Sequence, residues 1–115
     1  MRAILIDVSA QALTEIEVPD DDAEQLTALQ KAVGGYLEIA VAIENGDVIF
    51  VDEEGRLKGP VAGWFAVKGA SQAFAGNGVV IGSDGDGDGN TVAAKTSIEA
   101  LELLISWPLP IRTIH

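Results

Sequence analysis

Alternation of apolar and polar side chains predicts a chain built mainly of short strands. Residues 13–18 read Leu, Thr, Glu, Ile, Glu, Val, the period of a strand with one buried face. Asn45-Gly46 lies between two apolar runs and is a strong signal for a tight hairpin. Val79-Val80-Ile81 is continuously apolar, as expected of a strand buried on both faces. Strands are predicted at residues 3–7, 13–18, 36–43, 48–51, 79–81 and 91–94.

A first helix is predicted over Asp22–Val33, where Ala23, Leu26, Leu29 and Val33 recur at helical spacing. Asp21 and Glu24 have the spacing of a capping box, in which the first side chain accepts a hydrogen bond from a free backbone N–H. Gly34-Gly35 follows, and glycine readily adopts the left-handed conformation that ends a helix.

A second helix is predicted over residues 97–106. Thr96 and Glu99 repeat the capping-box spacing at its start. Pro108 and Pro110 end it, because proline cannot continue the hydrogen-bond ladder.

The stretch 59–76 carries four glycines and one proline and predicts an irregular segment, with a short helix near residues 70–75. Trp64 and Phe65 stand next to each other in it. Adjacent aromatic residues either cap the core or form an exposed anchor for a partner, and they are the candidate binding residues here. The core is the favoured interpretation, because only six aromatic side chains serve the whole chain.

These elements predict one α+β domain spanning residues 1–115. We expect a mostly antiparallel sheet of about five or six strands, with the two helices packed on one side. The Gly-Gly-Tyr strand at residues 36–43 and the Asn-Gly hairpin are expected at the centre of the sheet. Exposed sheet edges are compatible with a homodimer.

Composition narrows the function classes. The chain has no cysteine, which excludes disulfides and thiolate chemistry and favours a cytoplasmic location. Its 18 acidic and 7 basic residues give a net charge of −11. Nucleic acids and anionic membranes attract clustered Lys and Arg, so neither is expected as a direct partner. With a single histidine, His115, no zinc site or Ser–His mechanism is expected, and no cofactor is predicted.

Asp84, Asp86 and Asp88 alternate with glycine and resemble the start of an EF-hand calcium loop. The twelfth position of such a loop requires a bidentate glutamate, and here it is Lys95. A solvated glycine-rich loop is therefore favoured over a calcium site, and no metal ligand is assigned.

Several runs of residues resemble a family of small domains of unknown function found in bacterial phages, plasmids and conjugative elements. The most specific are Val-Gly-Gly-Tyr-Leu-Glu at residues 33–38 and Glu-Glu-Gly-Arg-Leu-Lys-Gly at 53–59. Arg2–Asp7 and residues 75–82 also take part. The family's usual Pro-x-Asn-Arg run is replaced at residues 59–65. The resemblance implies an accessory protein of a mobile element and supplies no catalytic residue.

The predicted function is a non-enzymatic binding or interaction module acting on a host protein or small molecule. One alternative is an acidic DNA mimic that inhibits a host nucleic-acid enzyme, which requires the acids of 15–24, 52–54 and 84–88 to line one surface. Another is a carboxylate-based enzyme, which requires a cleft holding two buried acids.

Overall fold

A computed structural model describes residues 1–55, 63–83 and 91–108. Its strands are β1 (Arg2–Asp7), β2 (Ala12–Glu17), β3 (Leu37–Ala42), β4 (Asp47–Asp52), β5 (Trp64–Val67), β6 (Phe74–Ala75), β7 (Gly78–Ser83), β8 (Thr91–Val92) and β9 (Ile105–Ser106). Its helices are α1 (Asp22–Val33) and α2 (Ile98–Glu102). The predicted α+β class is confirmed.

In the described residues the main sheet has six strands, all antiparallel, in the order β2-β1-β7-β4-β3, with β8 also paired to β7. The centre is β7, whose Val79, Val80 and Ile81 are completely buried. This agrees with the continuous apolar run in the sequence, because a central strand has both faces covered. The Asn-Gly hairpin forms as predicted and joins β3 to β4.

Strand β3 lies at the edge of this sheet, and the expectation that it lies at the centre is wrong. Its exposed and half-exposed side chains agree with an edge position. A bulge between Ile39 and Val41 shifts the register along its pairing with β4. The pattern of residues 36–43 predicts a strand but carries no information on strand order.

The two helices cover opposite faces of the main sheet, which differs from the prediction that they pack on one side. Leu29 and Val33 of α1 pack with Ala3, Val48, Val79 and Ile81. Leu101 of α2 packs with Ile4, Ile6, Ile49, Val51 and Val80. Because successive strand residues point to opposite faces, these two sets belong to opposite sides of the sheet.

Helix α1 has the predicted bounds and caps. The Asp21 carboxylate accepts a hydrogen bond from the Glu24 N–H at 3.0 Å, and Gly34 ends the helix with φ +90°. Its buried side differs from the prediction, because Gln25 is buried while Leu26 is 48% exposed. The Gln25 amide donates to the Pro19 carbonyl at 3.0 Å and its oxygen accepts from the Thr91 hydroxyl, so its polar atoms are satisfied.

Helix α2 is shorter than predicted and ends at Glu102. Ser97 caps it, accepting from the Ala100 N–H at 3.1 Å, so Thr96 is not its cap. Residues 105 and 106 form β9 because they pair with Ala66 and Val67 of β5. A tertiary contact therefore overrides the helical pattern there.

The stretch predicted as irregular contains β5 and β6, which form a second, three-stranded sheet with β9. The prediction of a short helix near residues 70–75 is wrong, because Phe74–Ala75 is a strand paired with β5. Phe65 and Val67 of β5 pack into the same cluster as Leu101. The main sheet is thus covered by α1 on one face and by the small sheet with α2 on the other.

Within the described part of the chain, no helix has the length and apolarity to cross a membrane.

Candidate functional site

The described parts of the two runs most typical of the family, residues 33–38 and 53–55, meet at the open end of the β3–β4 hairpin. Leu37 pairs with Asp52 and Glu38 with Val51. The Glu53 N–H donates to the Tyr36 carbonyl at 2.9 Å, which extends the ladder by one pair. These described residues come from separate parts of the sequence but form one structural unit, which we call the hairpin mouth (residues 34–38 and 51–55).

Glycine at position 35 is required by the close approach of Asp52. A Cβ on Gly35 would lie 2.6 Å from Asp52 Cγ and 2.7 Å from its Oδ2, shorter than any ordinary contact. The Asp52 carboxylate is buried and accepts a hydrogen bond from the Glu54 N–H at 3.0 Å. Gly34 ends α1, and Gly35 makes room for the turn that follows β4.

A small cleft of about 170 Å³ lies at the hairpin mouth. The described residues that line it are Glu38, Ile39, Ala40, Val51, Asp52, Glu53, Gly55, Gln72, Phe74 and Ala75. Three of these are acidic and none is basic. Glu38 and Glu53 are exposed, whereas Asp52 is buried. The cleft therefore has a lining of mixed polar and apolar residues and a negatively charged rim.

The outer edge of β3 leaves backbone groups directed away from the sheet. The pair Tyr36–Glu53 is joined by a hydrogen bond, and so is the pair Ile43–Asp47, whose N–H to carbonyl distance is 2.7 Å. In an antiparallel ladder, bonded and non-bonded pairs alternate. Glu38 and Val41 therefore point their backbone groups at β4, while those of Leu37 and Ile39 point outward. In the part of the chain that the structure describes, no strand pairs with this edge.

A second polar centre lies at the opposite end of β4, around the fully buried Asp47. Its carboxylate accepts from the Lys95 N–H at 2.9 Å, the Thr96 N–H at 2.8 Å and the Thr96 hydroxyl at 2.6 Å. The Asn45 amide donates to the same hydroxyl at 2.9 Å. These bonds fasten residues 95–96, just before α2, to the hairpin. Asp47 is thus fully engaged in holding the fold.

The structure separates the two aromatic residues that the sequence singles out. Phe65 is completely buried and packs against Phe74, with ring centroids 5.5 Å apart. Gly78 leaves room for it, since a Cβ there would lie 2.7 Å from Phe65 Cζ. Trp64 points the other way and is 39% exposed, in a shallow pocket with Val8 and Pro108. Of the pair, Trp64 alone is accessible to a partner.

Within residues 1–55, 63–83 and 91–108, no group of three or more His, Asp or Glu side chains is arranged to hold a metal ion. Asp84, Asp86 and Asp88, whose spacing resembles a calcium loop, lie outside the described residues, as does His115.

Sequence reasoning missed both the hairpin mouth and Asp47. The clue to the mouth was present, because the two runs most typical of the family flank a predicted pair of strands. Asp47 gave no signal, since its partners are 48 and 49 positions away and it reads as an ordinary turn residue.

Comparisons with curated proteins and with solved structures found no match. Residues 1–103 match the family described as Domain of unknown function (DUF3846). The match includes every described helix and strand except β9, and it contains the hairpin mouth and Asp47. The chain is therefore a member of the DUF3846 family.

Proposed function

We propose that this protein is a non-enzymatic interaction module that binds a partner protein through the outer edge of β3. The observation that supports the proposal is the edge that the described strands leave open, with the outward backbone groups of Leu37 and Ile39 beside a small cleft of mixed polar and apolar lining. An unpaired edge is a template onto which an extended segment of another chain can add. Ile39, which is 57% exposed, supplies apolar contact area at its middle.

A protein partner suits the cleft better than a small molecule does. Pockets that bind drug-sized ligands have volumes of about 300–1,000 Å³ and enclose most of the ligand. The cleft at the hairpin mouth has about 170 Å³, and Glu38, Ile39 and Ala40 of the edge strand form part of its lining. That volume fits one or two side chains of an added strand.

The positions of the buried acids favour binding over carboxylate catalysis. Among the described residues the buried carboxylates are Asp47 and Asp52, at the two ends of β4. At about 3.4 Å per residue they stand about 17 Å apart. Catalytic carboxylate pairs of glycosidases are about 5–9.5 Å apart. Asp47 also has its oxygens occupied by backbone and hydroxyl donors.

The arrangement of the exposed acids gives less support to the DNA-mimic alternative. Glu15 lies on β2 and Glu53 follows β4, so the two clusters stand toward opposite edges of the sheet. Glu15 is also paired with Arg2, at 3.0 Å between carboxylate and guanidinium. The third cluster, 84–88, lies outside the described residues.

The family resemblance and the absence of cysteine from the sequence support the wider context of the proposal. In that context the protein is an accessory factor of a phage or other mobile element, acting in the bacterial cytoplasm on a host protein.

Affinity capture with an edge-blocking variant tests the proposal. Ile39→Pro removes an outward N–H that the β3–β4 ladder does not use, so the fold is expected to survive while strand addition is blocked. Wild-type and variant protein are used as bait in a bacterial lysate, and captured proteins are quantified by mass spectrometry. We expect at least one protein to be enriched by the wild type and reduced tenfold or more with Ile39→Pro.

Glu15→Pro is the matched control, because Glu15 also points its N–H outward, at the β2 edge. It should retain the captured protein, and circular dichroism should show that both variants keep the wild-type fold. If no captured protein depends on Ile39, the proposal is contradicted.

A further inference from the structure

We propose that β3 receives an extended basic segment of its partner, with a Lys or Arg side chain lying against Glu38 and Glu53 and apolar side chains lying against Ile39. This inference rests on the proposed function and specifies the chemistry of the partner. The separate features that lead to it are the direction of the backbone groups, the charge on one face and the exposed apolar surface on the other.

The backbone sets how such a segment would be held. Leu37 and Ile39 direct their N–H and carbonyl groups outward, two residues apart, which is the repeat of an antiparallel or parallel ladder. The bulge after Ile39 interrupts this repeat, so the regular part of the edge is the half nearest the hairpin mouth. An added strand would therefore pair mainly along residues 37–39, beside the cleft.

The negative charge on the cleft face of β3 indicates which side chains an added strand would place there. Glu38 is opposite Val51 on that face, and Glu53 stands two residues further along, which makes the two acids diagonal neighbours. Both are exposed, and no described basic residue lines the cleft. A cationic side chain on an added strand opposite Glu38 would lie within reach of both carboxylates. Arg56 and Lys58 follow in the sequence, outside the described residues.

The opposite face of the β3 edge is complementary to apolar side chains of an added strand. Ile39 points to the side that α1 covers, along with Leu37 and Phe50. Because side chains alternate along a strand, a segment that places a cation against Glu38 places its neighbouring residues against Leu37 and Ile39. The edge therefore selects a basic–apolar alternation.

Electrostatics disfavours a second copy of this chain as the occupant. Each chain has a net charge of −11. Antiparallel pairing of two β3 strands would bring both pairs of Glu38 and Glu53 onto the same face of a joined sheet, with no described cation between them. Like charges placed together in this way oppose association.

Synthetic peptides test the chemistry directly. The probe is a capped peptide of sequence Thr-Val-Lys-Val-Lys-Val-Thr, and the controls are the same peptide with Glu in place of Lys and a scrambled peptide of equal composition. Binding is followed by NMR titration of the full chain. We expect the lysine peptide, and neither control peptide, to change the chemical shifts of residues 36–39. The double variant Glu38→Gln with Glu53→Gln should bind the lysine peptide about fivefold more weakly than the wild type does.

Charge reversal on the protein distinguishes this inference from the proposed function. In the lysate capture, Glu38→Lys with Glu53→Lys should lose the Ile39-dependent partner, while Glu15→Lys with Glu17→Lys on the β2 edge should retain it. A partner that needs Ile39 but tolerates the reversal at 38 and 53 would overturn the basic segment and leave the interaction module standing. Equal binding of the lysine and glutamate peptides would overturn it as well. The inference would also be overturned if analytical ultracentrifugation showed that the wild-type protein is a dimer and that Ile39→Pro converts it to a monomer.

Discussion

Replacing Asp47 with alanine is expected to lower the free energy of unfolding by about 3–5 kcal/mol. The change leaves two backbone N–H groups and one hydroxyl without their acceptor, at a site where Asp47 and Thr96 are buried. A loss of that size is a large fraction of the about 5–15 kcal/mol that stabilises a typical domain. Urea unfolding followed by circular dichroism measures it. Asp47→Asn keeps one acceptor oxygen and should lose less.

Glu44→Ala is the matched control for Asp47, since Glu44 is an exposed acid in the same hairpin turn. It should change stability by less than about 0.5 kcal/mol, as ordinary surface substitutions do. If Asp47→Ala is no more destabilising than Glu44→Ala, then Asp47 does not fasten residues 95–96 to the hairpin.

Gly35→Ala is expected to cost about 2–3 kcal/mol, because the new methyl group would overlap the buried Asp52 carboxylate. Gly34→Ala is the comparison. Its Cβ meets open space, but its φ of +90° strains an alanine, so a cost of about 1 kcal/mol is expected. The neighbouring glycines are thus needed for different reasons, one for space and the other for backbone conformation.

A double-mutant cycle with Asp52→Ala tests the assigned cause. Removing the carboxylate should relieve the overlap, so Gly35→Ala should cost at least 1 kcal/mol less in that background than in the wild type. Costs that simply add would show that Gly35 is required for a reason other than its contact with Asp52.

Local signals in the sequence predicted the parts of the fold that depend on near neighbours. The bounds and caps of α1 follow from Asp21, Glu24 and Gly34, all of which act within four residues. The Asn-Gly turn and the buried run of β7 are likewise readable, because each reflects a local conformation or a continuous apolar pattern.

The features that sequence reasoning missed are set by distant partners. Residues 105–106 continue a helical pattern, but pairing with β5 draws them into a strand. In the sequence Asp47 has the pattern of a turn residue, and only the fold brings its hydrogen-bond partner Thr96 next to it. The edge position of β3 depends on which strands neighbour β4, and that choice is made by the whole sheet. For the same reason the hairpin mouth, which combines two separate runs, could be assembled only from the structure.

Amide hydrogen exchange of the free, monomeric protein tests most directly whether the β3 edge is open. The N–H groups of Glu38 and Val41 donate to β4, whereas those of Leu37 and Ile39 point away from the sheet. We predict that the Leu37 and Ile39 amides exchange about 100-fold or more faster than those of Glu38 and Val41, after correction for intrinsic rates. Equal protection at all four positions in the monomer would contradict the open edge, and with it the interaction surface proposed here.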